Sequence, residues 1–255
     1  MIKNYYRVLL ALIGSLKNWP SVIAAKIFNQ EIQYLELKNG LRIFIGGKLR
    51  PADLSMFAEI FYNKFYNPAG YEIGKNDLVI DIGANNGYFT VFAAKEAPEG
   101  RIISFEPVPE LAKKIDKNIA TNNLKNVKLE NIAVSDNIGL STFYVSQVHN
   151  GCHSLFHRND SDEKIEVATT TLEAYCSENK IAKIDFLKLD CEGAEYKIFQ
   201  SLSEAFLRKS IKKISMEYHD DITDNMHTLI EQILLNAEYD VSVKNGFLYA
   251  ENRNL

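Results

Sequence analysis

Two apolar stretches in the second half of the chain end in side chains that can do acid–base chemistry. Asp190 and Glu192 follow "IDFLKL", and Glu217 and His219 lie in "ISMEYH", where they alternate with neighbours and so point to one side of a strand. Such groups can orient a hydroxyl, accept its proton or hold a cation. His219 could be the base or could simply hydrogen-bond Asp190 or Glu217. The same set could bind Mg²⁺, but no clear metal-site motif is present, so a metal is not favoured.

A glycine-containing turn, "DIGANNG", follows an earlier apolar run. Gly83 and Gly87 would let a ligand approach the backbone, and the next helix would offer free N–H groups. The spacing is G-x-x-x-G rather than the G-x-G-x-x-G of dinucleotide-binding proteins, which favours a nucleoside without pyrophosphate. Glu106 lies 23 residues after Gly83, at what we expect to be an exposed strand end, and an acidic residue at about this distance can bind both ribose hydroxyls. Asp81 would hold the turn or reach an ammonium group of the ligand.

These side chains need a scaffold that brings strand ends together, and the hydrophobic pattern predicts one. From residue 75 onward, short apolar runs alternate with helical segments, which is typical of a parallel sheet covered on both faces. The predicted strands are 77–83, 101–107, 127–134, 184–190 and 211–219, and the predicted helices are 87–97, 109–123, 194–202 and 223–237. Asn245 and Gly246 lie within 239–252 and predict a tight hairpin, so the last strand should be antiparallel to its neighbour.

The segments on either side of this pattern differ from it. Residues 1–70 are expected to form a helical extension with a small hairpin around Asn39-Gly40, and 71–255 the main domain. The N-terminal apolar run of nine residues is too short to span a bilayer, so we expect an amphipathic helix packed on the domain, and membrane-surface contact is not favoured. Further strands are predicted at 141–146 and 164–170. We interpret the polar segment 147–163 between them as a loop that covers the substrate.

Composition narrows the class of protein. The chain has 255 residues and a net charge of -4 at pH 7, which argues against a nucleic-acid-binding protein. Its three cysteines form no C-x-x-C pair, which argues against a disulfide framework and favours a reducing cytoplasm. The oligomeric state cannot be predicted from these numbers.

Five motifs occur in order along the chain: "VIDIGANNGYFT", "SFEPVPE", "NIAVSDNIG", "IDFLKLDCEGAEY" and "ISMEYH". Together they resemble the FkbM-type methyltransferases, which use S-adenosylmethionine (SAM), and the resemblance runs from about residue 30 to 220. It implies an α/β fold of the class I methyltransferase, Rossmann-like type: a doubly wound, mostly parallel seven-stranded sheet with an antiparallel last strand. It also implies methylation of a hydroxyl oxygen on a sugar or other natural product.

The resemblance further implies roles for individual residues. Glu106 would bind the ribose, Pro107 would shape the turn after it, and Asn131, with Glu130 as the alternative, would meet the adenine edge. The proposed catalytic set is Asp190, Glu192, Glu217 and His219. The residues expected to cradle the methionine part of SAM are Asp81, Gly83, Ala84, Asn85 and Gly87.

Three other functions fit the sequence less well. A nicotinamide-dependent oxidoreductase would be expected to carry G-x-G-x-x-G. A nucleic-acid methyltransferase would carry an N/D-P-P-Y/F motif or a Pro-Cys pair, and neither occurs. A non-catalytic SAM-binding module would have no need of the carboxylates at 190 and 192. We therefore expect a small-molecule or saccharide acceptor and no nucleic-acid partner.

Overall fold

The computed structural model describes residues 2–145, 163–220 and 224–255. The α-helices of this part of the chain are α1 (Ile2–Ser15), α2 (Trp19–Ile27), α3 (Pro51–Phe57), α4 (Tyr88–Glu96), α5 (Pro109–Thr121), α6 (Leu172–Glu178), α7 (Glu195–Ser201), α8 (Glu204–Ser210) and α9 (Met226–Asn236). The strands are β1 (Glu31–Glu36), β2 (Arg42–Lys48), β3 (Leu78–Ile82), β4 (Arg101–Phe105), β5 (Val127–Glu130), β6 (Ala133–Val134), β7 (Gly139–Val145), β8 (Glu163–Thr170), β9 (Ile184–Leu189), β10 (Ile211–Glu217), β11 (Tyr239–Lys244) and β12 (Phe247–Asn252). A π-helical segment, Ala58–Tyr62, continues α3. The predicted substrate-covering loop lies, apart from its last residue, outside the described residues.

Seven strands form the central sheet in the order β11-β12-β10-β9-β3-β4-β5. Neighbouring strands from β5 to β10 are parallel, whereas β12 is antiparallel to both β10 and β11. The order reverses between β3 and β9, because β4 and β5 follow β3 on one side and β10 follows β9 on the other. This confirms the predicted doubly wound, mostly parallel sheet with an antiparallel last strand, and it places the expected ligand crevice at the carboxyl ends of β3 and β9.

Strands β3 and β9, at the centre of the sheet, each contribute side chains to two cores. Val79 and Phe186 belong to one buried cluster, while their chain neighbours Ile80 and Leu187 belong to the other. This follows from the alternation of side chains along a strand, and it explains why these strands are apolar almost without interruption. The two covered faces hold the strand ends in place.

The N-terminal elements share the first of these cores. Leu12 of α1, Leu35 of β1 and Phe57 of α3 lie in the same buried cluster as Phe89 of α4. The expected hairpin forms as the antiparallel pair of β1 and β2. The boundary near residue 70 stays a prediction, because the packing is continuous across it. No helix in the described ranges combines the length and the apolar character needed to cross a membrane.

The structure departs from the predicted elements in two places. The predicted strand 127–134 is split: β5 joins the central sheet, while β6 pairs with β8 in a separate three-stranded sheet of order β6-β8-β7. Helices α6 and α8 were not predicted, since each has only seven residues and shows too little periodicity. At the C-terminal hairpin, Asn245 and Gly246 have φ values of 54° and 87°, as the predicted tight turn requires.

Candidate active site

The turn between β3 and α4 needs glycines because of the protein's own packing. Gly83 has φ +77°, and a Cβ placed on it would lie 1.8 Å from the carbonyl oxygen of Asp190. Gly87 has φ +78°, and a Cβ there would lie 3.0 Å from Ile115 of α5. Ala84 between them is buried, and its N–H donates to the carbonyl oxygen of Phe105 at 3.0 Å. The small residues therefore seat the turn between β4, β9 and α5, a reason that the sequence alone did not show.

Glu106 follows β4 and is buried, which corrects the expectation of an exposed strand end. Only 4% of the residue is exposed, and its two carboxylate oxygens accept hydrogen bonds from the N–H groups of Asn85 (2.7 Å) and Val108 (2.9 Å). Burial raises the pKa of Glu106 to about 7, although the two backbone hydrogen bonds act in the opposite direction. The carboxylate thus ties the glycine-containing turn to the end of β4, where a ribose was expected.

Pro107, Asn131 and Glu130, which follow β4 and end or follow β5, differ in whether they face the cavity beside Glu106. Pro107 lines the cavity beside Glu106. The Asn131 side chain donates to the carbonyl oxygen of Glu106 at 2.7 Å, while its neighbour Ile132 lines the cavity. Glu130, the alternative for the adenine edge, accepts a hydrogen bond from Tyr175 of α6 at 2.7 Å, so its side chain is directed toward α6 and not toward the cavity. Asn131 therefore stays the better prediction of the two, although it does not itself line the cavity.

Asp81 is fully buried and pairs with Lys188 of the neighbouring strand β9. The Lys188 Nζ lies 3.1 Å from Asp81 Oδ1 and donates a 2.8 Å hydrogen bond to the carbonyl oxygen of Gly83. Thr90 donates to the other carboxylate oxygen of Asp81 at 2.8 Å. Burial would lower the pKa of Lys188, but the charges of Asp81 and Asp190 raise it, so the amine is a cation. Of the two roles considered for Asp81, this geometry favours holding the turn.

Two cavities meet at the turn. The first, which we call the Glu106 cavity, has the polar lining residues Asn85, Glu106, Asp190 and Glu192 and an apolar wall that includes Leu111, Ile132 and Phe143. The second, which we call the Tyr66 cavity, has the polar lining residues Glu59, Tyr66, Asn86, Tyr88 and Lys188. Gly83, Asn85 and Asp190 line both. A ligand that spans the two cavities would therefore pass directly over the turn and beside Asp190.

Some buried polar atoms at the turn have no hydrogen-bond partner in the described part of the chain. Asn85 Oδ1, both side-chain polar atoms of Asn86 and the Tyr88 hydroxyl accept or donate no hydrogen bond. Leaving such a group unpaired costs about 1–3 kcal/mol. A side-chain amide can accept from the ammonium group and donate to the carboxylate at the amino-acid end of SAM. The asparagines at the turn therefore fit the amino-acid end of this cofactor.

Asp190 and Glu217 are joined by a buried tyrosine. The Tyr66 hydroxyl lies 2.9 Å from Asp190 Oδ2 and 2.8 Å from Glu217 Oε2. Burial, and next the negative charge of Asp190, raise the pKa of Glu217 to about 7. Two of the four proposed catalytic residues are therefore in one hydrogen-bonded group.

His219 lies among acidic side chains just after β10. Its Nδ1 is 3.0 Å from Glu195 Oε1, and its Nε2 is 3.6 Å from Glu192 Oε2 and 4.0 Å from Asp190 Oδ1. Burial would lower the pKa of His219, but the hydrogen bond to Glu195 and the surrounding carboxylates outweigh it and raise the pKa to about 10. The ring is then a cation at neutral pH and cannot accept a proton. The hydrogen-bonded alternative is favoured over the base, with Glu195 as the partner in place of Asp190 or Glu217.

Glu195 also holds the loop between β9 and α7. It is fully buried, and its carboxylate accepts hydrogen bonds from the N–H groups of Cys191 (2.7 Å) and Gly193 (2.9 Å). Glu192 within this loop has φ +54°, a conformation that non-glycine residues seldom adopt. Glu195 thus fixes the loop and orients His219, which is more than a charge at a helix N-terminus would do.

A divalent cation has geometric room in this cluster. Asp190, Glu192 and His219 each present one atom capable of metal ligation, and these atoms lie within 4.8 Å of one another. Metal binding would first require the charged imidazole to lose its proton. A metal is therefore not part of the proposed site, and treatment with a chelator tests for one.

Three residues of this region were not singled out from the sequence. Lys188 could have been recognised from the sequence, because it is a charged residue inside the apolar run "IDFLKL". Tyr66 and Glu59 belong to the N-terminal region, and no sequence pattern links them to the site, because they lie more than 120 positions before Asp190 in the chain.

Comparison with known proteins shows that this chain is similar in sequence to methyltransferases. The family described as methyltransferase FkbM domain matches residues 81–241. The 31-O-demethyl-FK506 methyltransferase FkbM of Streptomyces tacrolimicus is 28% identical over 194 residues, which cover 65% of this chain and 74% of that protein. The 2-O-methyltransferase NoeI of Sinorhizobium fredii (strain NBRC 101917 / NGR234) is 25% identical over 200 residues, 72% of this chain and 81% of that protein. The crystal structure of methyltransferase FkbM from Methylobacillus flagellatus KT aligns with a TM-score of 0.49 and 13% identity over 78% of this chain and 52% of that one.

Proposed function

The chain belongs to the FkbM methyltransferase family, and from that premise we propose that it transfers a methyl group from SAM to a hydroxyl oxygen of a saccharide or other small-molecule acceptor. The observation that carries the proposal is that Glu106 and Asp190 line one cavity at the carboxyl ends of the parallel strands. The names of the two relatives specify methylation at oxygen, which supports a hydroxyl acceptor for this chain too.

The residues of the turn would hold the cofactor. Glu106, once ionised, would accept hydrogen bonds from the ribose hydroxyls, with Pro107 beside it and Asn131 behind it. Asn85 and Asn86 would bind the amino-acid end with their unpaired amide atoms. Gly83, Ala84 and Gly87 would give the turn its shape, and Asp81 would act through Lys188, which donates to the carbonyl oxygen of Gly83.

The acidic cluster would serve the transfer itself. SAM, when bound, supplies a methyl group activated by a positively charged sulfur. Asp190 would orient the acceptor hydroxyl and accept its proton, and Glu192 would help to position the acceptor. The His219 cation would offset part of the local negative charge. Correct orientation can contribute roughly 7–11 kcal/mol, and a positioned base about 10²–10⁴-fold in rate.

The cofactor is tested by mass spectrometry of ligand released from the purified protein, followed by melting curves with SAM, S-adenosylhomocysteine and NAD. A ligand at 100 times its Kd stabilises by about 2.7 kcal/mol, which for a chain of this length corresponds to roughly 5–11 °C. We expect this shift with the two adenosyl compounds and none with NAD. A shift with NAD alone would favour a nicotinamide-dependent enzyme instead.

The acceptor class is tested with methyl-labelled SAM. Simple sugars, glycolipid head groups and polyketide alcohols would be screened, and the labelled product analysed for the atom that carries the new methyl group. A methyl ether would support the proposal. Labelling of nitrogen or carbon in every product would contradict a hydroxyl acceptor.

A further inference from the structure

The buried Tyr66 hydroxyl lies between two carboxyl groups from different strands. Its oxygen is 2.9 Å from Asp190 Oδ2 and 2.8 Å from Glu217 Oε2, and only 3% of the residue is exposed. Both separations are within the normal range for hydrogen bonds between oxygens.

The number of hydrogens available to Tyr66 and the two carboxyl groups limits their protonation states. A phenol has one hydrogen, so Tyr66 can donate to one carboxyl group only, while ionised carboxylates only accept. If Asp190 and Glu217 were both ionised, one of the two short contacts would have no hydrogen in it. Two hydrogen bonds therefore require a second proton, carried by one of the carboxyl groups.

The surroundings indicate where this proton resides. Lys188 Nζ lies 3.8 Å from Asp190 Oδ2, and His219 Nε2 lies 4.0 Å from Asp190 Oδ1, so two cations lie beside the Asp190 carboxylate. Glu217 is also near His219, but burial and the charges of Asp190 and Glu59 on the π-helical segment raise its pKa. The arrangement is then a protonated Glu217 that donates to Tyr66, with Tyr66 donating to Asp190.

Access to the two carboxyl groups differs. Asp190 lines both cavities and Tyr66 lines one, whereas Glu217 is not among the described residues that line either. An acceptor molecule would therefore reach Asp190 directly and Glu217 only through Tyr66.

We propose that Tyr66 joins Asp190 and Glu217 into a single proton acceptor that holds one proton between two carboxyl groups. This inference rests on the proposed function. The O–H bond of the acceptor breaks, its proton goes to Asp190, and its oxygen bonds to the methyl carbon as the C–S bond breaks with its electron pair left on sulfur. The step starts from the form in which Glu217 has released its own proton to water. Shifts of hydrogen along Asp190, Tyr66 and Glu217 then leave the acceptor's proton on Glu217, which returns it to water before the next transfer. Tyr66 is a positioning residue, because it acts through Asp190.

Infrared spectroscopy of the cofactor-free protein tests the shared proton without any assay of activity. The protein is first treated with a chelator, so that no bound cation alters the charge balance. Ordinary carboxyl groups are ionised at about pH 6. We expect the difference spectrum between the wild type and Glu217→Gln at that pH to contain a carboxylic-acid band, which disappears with a midpoint of about 7.

Tyr66→Phe should lower that midpoint by about one pH unit, because the protonated pair makes two hydrogen bonds through Tyr66 and the ionised pair makes only one. Tyr249→Phe is the matched control. Tyr249 is also buried, but its hydroxyl donates to the carbonyl oxygen of Phe65 at 2.8 Å, so the midpoint should not change. No carboxylic-acid band at about pH 6, or an unchanged midpoint in a folded Tyr66→Phe protein, would overturn the proposal.

The pH dependence of methyl transfer then tests the role of the proton. With an acceptor from the screen, the wild-type rate should rise through about pH 7, and in Tyr66→Phe this rise should move to lower pH together with the infrared midpoint. Glu217→Gln should lose the step in the profile. A wild type that methylates no acceptor would contradict the proposed function, while the infrared midpoints would still decide whether the proton is shared. A step that persists unchanged in Glu217→Gln would overturn the inference alone.

Discussion

Gly83 and Asp190 approach each other so closely through their backbones that a single added carbon would not fit between them. A Cβ on Gly83 would lie 1.8 Å from the Asp190 carbonyl oxygen, and the Asp190 N–H donates to the carbonyl oxygen of Ile82 at 3.1 Å. The proposed cofactor turn and the proposed base are therefore positioned by the same contact, and a change in one must move the other.

Gly83→Ala should be strongly destabilising, by about 3 kcal/mol or more, because it combines strain at positive φ with a clash against backbone. Denaturant unfolding would measure the loss. Gly40→Ala is the matched control, since Gly40 has φ +91° with no atom within 4 Å of an added Cβ, and it should cost about 1 kcal/mol. Similar losses for the two variants would mean that the turn and Asp190 can separate freely.

Glu106→Ala should weaken SAM binding by about 1.5–3 kcal/mol, the value of hydrogen bonds to a charged group. Because the carboxylate also accepts from Asn85 and Val108, the fold should be destabilised too, whereas exposed Glu110→Ala should change neither quantity. Calorimetry measures the affinity and denaturant unfolding the stability. Unchanged affinity in folded Glu106→Ala would remove this residue from the cofactor site.

The raised pKa of Glu106 gives a pH dependence with a definite sign. The ionised form is the one that would accept the ribose hydroxyls, so wild-type SAM affinity should increase between about pH 6 and 8. In the cofactor-free protein, the Glu106 contribution to stability is full below its ordinary pKa near 4.5 and is lost as the pH rises through about 7. Both trends should be reduced in Glu106→Gln. An affinity that falls over this range would argue against an ionised ribose ligand.

Lys188→Met should be among the most destabilising single changes in the sheet, by about 3–5 kcal/mol, because it leaves the buried Asp81 carboxylate without its partner. Lys183→Met is the control. Lys183 forms a more exposed pair with Asp185, 3.2 Å apart, so its loss should cost less than about 1 kcal/mol. Thermal or denaturant unfolding measures both, and a tolerated Lys188→Met would show that Asp81 does not need this cation.

Asp190→Asn keeps the shape of the side chain and removes its charge. If Asp190 acts mainly on the acceptor, SAM affinity should stay within a few-fold of wild type while methyl transfer falls by about 10²-fold or more. Asp185→Asn, on the same strand but beside Lys183, is the control and should keep its turnover. A chelator that mimics Asp190→Asn in the wild type would indicate a bound divalent cation. Near-normal turnover of Asp190→Asn would limit this residue to a structural role.

The alternation of apolar runs and helical segments was sufficient to predict the sheet. Strand ends in a parallel sheet meet at one edge, so the sequence also indicated that the turn at Gly83, Glu106 and Asp190 would lie together, and the Glu106 cavity brings them together. The expected positions of most strands and of the C-terminal hairpin agree with the structure for the same reason: each depends on residues that are neighbours in the chain.

Contacts between segments that are distant in the chain could be learned only from the tertiary structure. Tyr66 meets Asp190 across 124 positions and Glu217 across 151, and no local pattern reports such a pairing. The burial of Glu106, the pairing of His219 with Glu195 and the departure of β6 from the central sheet likewise depend on which surfaces come to lie against each other. Periodicity shows which face of an element is buried, whereas the protonation state of a side chain depends on the charges and hydrogen bonds that the folded chain brings beside it.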